Sequence, residues 1–227
     1  MSESLTNERG AALFDIDGTL VDSNYLHVDA WSRAFHAVGR PVDSWQIHRR
    51  IGMGSSQLLS TLLGDAADEL GAKAEELHSD FYLGSAGLLR PFEHARDLVT
   101  TVAGRGVTVV LATSAAPDEL DRLRSTLDID HAVAEITSSK DVEKAKPEPE
   151  IVEVALDRAG VPAARAVFVG DAVWDVVAAR RVGVPTIGLL SGGISAAELR
   201  DAGAIAVYDD AAALLRELDE SPLATVW

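Results

Sequence analysis

From Pro91 onward the chain alternates short apolar runs with longer helical stretches, and this alternation restricts the fold more than any other feature. The apolar runs at 107–112, 132–136, 166–169, 184–189 and 204–208 predict strands. Helical periodicity predicts helices over 92–104, 117–127, 148–160, 173–182, 195–202 and 210–219. Strands separated by helices form a parallel sheet covered on both faces, because each crossover must return the chain to the same edge. The apolar run at 11–14 adds one more strand near the N-terminus. The expected fold is therefore α/β, a doubly wound, Rossmann-like parallel sheet of about six strands.

Between residues 22 and 88 no strand pattern is present. Tyr25, Val28, Trp31, Phe35 and Val38 recur at helical spacing, with Gly39 and Pro41 as a stop signal, and Asp22 or Ser23 can cap this helix. Further helical runs carry Trp45, Ile47 and Ile51, then Leu58, Leu59, Leu62 and Leu63, then Leu70, Leu77 and Phe81. Gly52-Met53-Gly54-Ser55-Ser56 breaks them. The pattern divides the chain into a core, 1–20 with 90–227, and an inserted helical bundle, 21–89. Trp31 and Trp45 are expected inside that bundle. The polar stretch 1–10 is expected to be a short flexible tail.

The 227 residues are 47% hydrophobic, enough for a sizeable core, and carry a formal net charge of −16. So acidic a surface disfavours nucleic acid and anionic membranes, both of which need basic patches. No apolar stretch approaches the roughly 20 residues of a membrane span. There are no cysteines, which excludes disulfides and thiolate metal sites. With no apolar leader at the N-terminus, a cytoplasmic location is expected.

Ligands of doubly wound sheets sit outside the carboxyl ends of the strands. The first strand ends in Asp15-Ile16-Asp17-Gly18-Thr19. Residues i and i+2 leaving a strand point the same way, so Asp15 and Asp17 share one space. Two such carboxylates repel unless a cation or a proton intervenes, and Mg2+ takes one or two carboxylates together with phosphate oxygens. A calcium loop does not fit, because Leu20 and Leu26 fall where Gly and Glu are required. The second predicted strand ends at Thr113-Ser114, whose hydroxyls can hold a phosphoryl oxygen or cap the following helix. The strand at 166–169 ends at Gly170-Asp171, with Asp175 one helical turn later, a pair that can face Asp15 or serve the helix as cap and solvated side chain. Lys146, set before a proline and therefore held out of helical geometry, can neutralise a phosphate more readily than Lys144. A cation and Lys146 would create a positive pocket in an acidic protein.

These pieces, Asp15-Ile16-Asp17-Gly18-Thr19, Thr113-Ser114, Lys146-Pro147 and Gly170-Asp171 with Asp175, resemble the haloacid dehalogenase-like hydrolases, in particular phosphatases with a helical cap. The resemblance spans about residues 11–218. It implies a mobile cap over roughly residues 20–90, a small phosphorylated metabolite as substrate, and Mg2+ as cofactor. It implies Asp15 as the nucleophile that forms an aspartyl phosphate and Asp17 as general acid and then base. Thr113, Ser114, Lys146 and Gly18 would hold the phosphoryl group, and Asp15, Asp17 (through its carbonyl), Asp171 and Asp175 would serve the metal. His27 and Trp31 match positions in beta-phosphoglucomutase-like members, where the histidine links cap closure to chemistry. The cap would read the substrate through His27, Arg49, Arg50 and Ser55.

The resemblance predicts a phosphatase acting on a sugar phosphate or phosphoglycolate, as a monomer or homodimer. The alternatives are a phosphomutase, against which Thr19 and the serine at 55 speak, and a phosphoacceptor signalling module, against which Asp17 speaks because it would hasten loss of the signal.

Overall fold

The computed structural model describes residues 9–227. Six parallel strands form one sheet in the order β3-β2-β1-β4-β5-β6. They are β1 (Ala11–Phe14), β2 (Thr108–Leu111), β3 (Glu135–Ile136), β4 (Ala166–Gly170), β5 (Thr186–Leu189) and β6 (Ala206–Tyr208). The sheet is wound outward in both directions from β1, which pairs in register with β2 on one side and β4 on the other.

Every residue of β1 is buried, as a strand covered on both faces requires. Its side chains alternate. Ala12 and Phe14 point into a core shared with α5 (Ala95–Gly104), α6 (Pro117–Leu127) and α10 (Ala211–Arg216). Ala11 and Leu13 point into a second core shared with α7 (Glu150–Ala159) and α8 (Val173–Arg181). A sixth core helix, α9 (Ala196–Ala202), packs Leu199 against Val176 of α8.

Between β1 and α5 lie α1 (Asn24–Ala37), α2 (Ser44–His48), α3 (Ser55–Leu63) and α4 (Ala67–Gly84). They enclose their own apolar cluster of Val28, Trp31, Phe35, Ile47, Leu58 and Leu59. The two chain crossings into this insert pair with each other: Val21 bridges Pro91 antiparallel, and Asp22 pairs with Arg90 at 2.6 Å. Among the described residues no helix is long and apolar enough to cross a membrane.

Four local expectations need correction. The predicted strand at 132–136 contracts to Glu135–Ile136, because Asp130–Ala132 turns as a 3-10 helix first. Ser23 stands at the start of α1, yet its hydroxyl goes to Asp17 rather than to the helix. Trp45 is 65% exposed, so only Trp31 belongs to the insert's core. Residues 1–8 of the expected tail lie outside the described residues, whereas Gly10 is buried and donates its N–H to the Val226 carbonyl.

Candidate active site

The chain leaves β1 through a tight loop in which the N–H groups of Leu20 and Val21 both return to the Ile16 carbonyl. Gly18 sits at φ 74°, a left-handed conformation that disfavours a side chain, and a methyl there would overlap Asp171 and Asn24. This loop brings Asp15 and Asp17 to the carboxyl edge of the sheet. There, Asp15, Asp17, Thr113, Ser114 and Lys146 line one cavity of about 100 Å³. The insert covers it with His27, Trp31, His78 and the Gly52–Ser55 segment.

Lys146 is buried and holds two carboxylates, Asp15 Oδ1 at 2.6 Å and Asp175 Oδ1 at 2.7 Å. Burial works against its charge, but those two partners more than offset this and raise its pKa. The other oxygen of Asp175 accepts the Ala172 N–H at 3.0 Å, so Asp175 serves the start of α8 and the site together. Asp171 accepts Thr19 Oγ1 at 2.8 Å and Asn24 Nδ2 at 2.8 Å. Gly192 packs so closely on Asp171 that a side chain there would overlap the carboxylate.

Asp15, Asp171 and Asp175 each present an oxygen within 4.8 Å of the others, all buried. Without a cation this is unfavourable. Burial, together with the neighbouring Asp175 and Asp15, pushes Asp171 well above the usual carboxylate range. Asp15 rises to about 7, by burial and the repulsion of Asp175 and Asp17, against the pull of Lys146. Three clustered carboxylates form a hard oxygen donor set that fits Mg2+.

Asp17 is treated differently. Burial would raise it, but His27 Nε2 at 3.3 Å and Ser23 Oγ at 2.6 Å favour the carboxylate and lower its pKa. His27 is moved up in turn, the Asp17 contact outweighing burial. Its second nitrogen meets His78 Nε2 at 3.0 Å, and His78 Nδ1 lies 4.0 Å from Glu119 Oε1. A chain of polar groups thus runs from the β1 loop through α1 and α4 to α6. Burial and the neighbouring His27 depress His78, while burial raises Glu119.

Ser55 lines the cavity, but Arg49 and Arg50 do not. Arg49 pairs with Glu198 of α9, and Arg50 donates to the Gln46 carbonyl. Ser114 lines the cavity, while Thr113 Oγ1 accepts the Ala115 N–H at 3.0 Å. Sequence reasoning overlooked Asn24, His78 and Glu119. Nothing in their local pattern marks them, since each reaches the site only through the packing of the insert on the core.

Comparison with known proteins places this arrangement. A family profile, haloacid dehalogenase-like hydrolase, matches residues 10–183. The chain is 28% identical over 217 residues to a phosphoglycolate phosphatase of Rhodospirillum rubrum, covering 90% of this chain and 88% of the relative. It is 29% identical over 202 residues to a phosphorylated carbohydrates phosphatase of Thermotoga maritima, covering 87% and 93%. The crystal structure of a hydrolase from Pseudomonas syringae superposes with a TM-score of 0.89 at 35% identity, over 93% of this chain and 99% of that one. With the match extending over most of its length, the chain belongs to the haloacid dehalogenase-like hydrolase family and is a phosphatase of that family.

Proposed function

We propose that the protein hydrolyses a small phosphate monoester in two steps through a phosphoenzyme on Asp15. The observation that carries this reading is the pairing of Asp15 with Lys146 at 2.6 Å on the floor of a cavity that Asp17 also lines. In the first step a carboxylate oxygen of Asp15 attacks phosphorus and the ester oxygen leaves, taking a proton from Asp17, which receives it from the protonated His27 that it contacts at 3.3 Å. In the second step Asp17 accepts a proton from water, whose oxygen attacks phosphorus and releases phosphate from Asp15. Thr113, Ser114, Gly18 and Lys146 hold the transferring phosphoryl oxygens. Asp15, Asp171, Asp175 and the Asp17 carbonyl would hold Mg2+, which when bound offsets the charge of the phosphoryl oxygens.

His27 and Ser23 keep Asp17 oriented between its two duties. Residues 21–89 act as a lid hinged where Val21 meets Pro91, and closure excludes water from the reacting atoms. The relatives named above act on phosphoglycolate and on phosphorylated carbohydrates, which makes esters of that size the first to test.

The contact of His27 with Asp17 also favours a phosphomutase reading, in which the phosphoryl group returns to the substrate. The test is phosphate release from p-nitrophenyl phosphate and a panel of metabolite esters, with Mg2+, with chelator, and with Asp15→Asn. Mg2+-dependent release that disappears in Asp15→Asn is expected. Isomerised ester without net phosphate would establish the mutase instead, and no turnover by folded protein would overturn both.

A further inference from the structure

Among the described residues, none that lines this cavity offers a free cation to the leaving group. Lys146 is held between Asp15 and Asp175. Both ring nitrogens of His27 are occupied, one by Asp17 and one by His78. Among the described residues no arginine lines the cavity. The charged group left facing that space is Glu119, on the first turn of α6, 8% exposed and 4.0 Å from His78. A neighbouring cavity of about 400 Å³ meets the first at Gly54, Ser55 and Ser114, and its lining adds Glu75, Glu143 and Glu148 against Lys144.

We propose that Glu119 sets the charge selectivity of this enzyme, admitting esters with neutral, hydroxylated or cationic leaving groups and rejecting those whose leaving group carries a carboxylate. A hydroxyl can donate to the Glu119 oxygens or use the serines where the two cavities meet. Beside Glu119 a carboxylate finds no unpaired cation among the described residues lining the first cavity, Lys144 lining only the neighbouring one among three glutamates, and like charges brought together in a desolvated site are strongly disfavoured. A protonated Glu119 would still offer a carboxylate no cation. Glu119 is thus a specificity determinant contributed by the core, opposite the insert's His78. The inference rests on the phosphatase reading and sharpens it, because it places phosphoglycolate among the poor substrates.

The test uses three monoesters matched in size: 2-hydroxyethyl phosphate, phosphoethanolamine and phosphoglycolate. For the wild-type enzyme with Mg2+, kcat/KM for phosphoglycolate is expected to fall at least about tenfold below that of the other two. Glu119→Gln should narrow that ratio and Glu119→Lys should reverse it, whereas a purely structural role would lower all three esters in parallel. Glu119→Asp, which keeps a carboxylate at the start of α6, should keep the wild-type ranking and serves if the other variants fail to fold. Phosphoglycolate turned over as well as or better than 2-hydroxyethyl phosphate by the wild type overturns the proposal, as does an unchanged ratio in folded Glu119→Gln. If none of the three esters and no p-nitrophenyl phosphate is hydrolysed, the phosphatase reading itself falls and the inference with it.

Discussion

Asn24 shows how far a single side chain can reach in this protein. It is the first residue of the insert's first helix, yet its amide donates to Asp171 Oδ2 at 2.8 Å and approaches the Gly192 carbonyl at 3.4 Å. Where a carboxylate holds a metal, as proposed for Asp171, the group that orients it typically contributes about 10–100-fold to metal affinity. Asn24→Ala is therefore expected to raise the Mg2+ concentration for half-maximal activity about tenfold, with smaller change at saturating Mg2+. Titration of activity with Mg2+ checks this, and an unchanged midpoint would remove Asn24 from the metal's surroundings. Lys146 carries a larger burden. Lys146→Met leaves Asp15 and Asp175 buried without their common cation, and breaking a buried ion pair this way costs about 3–5 kcal/mol. Urea unfolding without Mg2+ should show that loss, and adding Mg2+ should recover part of it, because a bound cation can stand in for the missing charge.

The elements differ in how much of them could be read before the structure. The strand at 11–14 was legible because four apolar residues stop abruptly at an aspartate, and β2, β4 and β5 because their apolar runs alternate with helical stretches. β3 was overestimated, since a run of small apolar residues cannot reveal that Asp130–Ala132 turns first. Asp15, Asp17 and Asp171 could be proposed because they follow predicted strand ends, Lys146 because a proline comes next, and Asp175 because it lies one helical turn beyond Asp171. His78 and Glu119 could not, because helical periodicity says which face of a helix is apolar, not which neighbour its polar residues will meet. The Gly52–Ser55 segment was read as a flexible break and, at Ser55, as a reader of substrate, and the structure also seats it against the core. Gly54 N–H approaches the Lys146 carbonyl at 3.4 Å, and a side chain on Gly54 would overlap Ala145. Gly54→Val should push this segment off the loop that carries Lys146. Misplacement by about 1 Å can cost about 100-fold in rate, so kcat/KM should drop at least tenfold, while thermal stability changes little. A normal kcat/KM would show that the segment's seating is irrelevant to turnover.

At the scale of the molecule the question is what ties the insert to the sheet. Besides the Asn24 and Gly54 contacts, His48 Nε2 meets the Gly192 carbonyl at 2.9 Å and Arg49 pairs with Glu198 of α9. Arg49, expected to read substrate, is instead committed to this cross-seam pair. Glu198 also closes the capping box of α9 with Ser195. Arg49 first, then the Ser195 hydroxyl and N–H, hold its carboxyl down at about 2, below its ordinary 4.5. A carboxyl lowered on folding stabilises the folded state above its unfolded pKa, and that contribution is lost as pH falls through the folded value. The relevant window therefore runs from about pH 5 down toward 2. The Glu198 side chain is 36% exposed, so solvent screening limits the bridge to about 0.5 kcal/mol. Glu198→Gln keeps an acceptor for Ser195 but loses the charge that Arg49 meets. Its unfolding free energy in urea should lie about 0.5 kcal/mol below wild type at pH 7, with the gap closing as pH drops from 5 to 3.5. The comparison isolates the bridge, because the relief of self-repulsion that acid brings to a chain of net charge −16 acts on both proteins alike. A gap that stays constant across that pH range would mean the substitution acts through packing, and the bridge would then contribute nothing to holding the insert against the core.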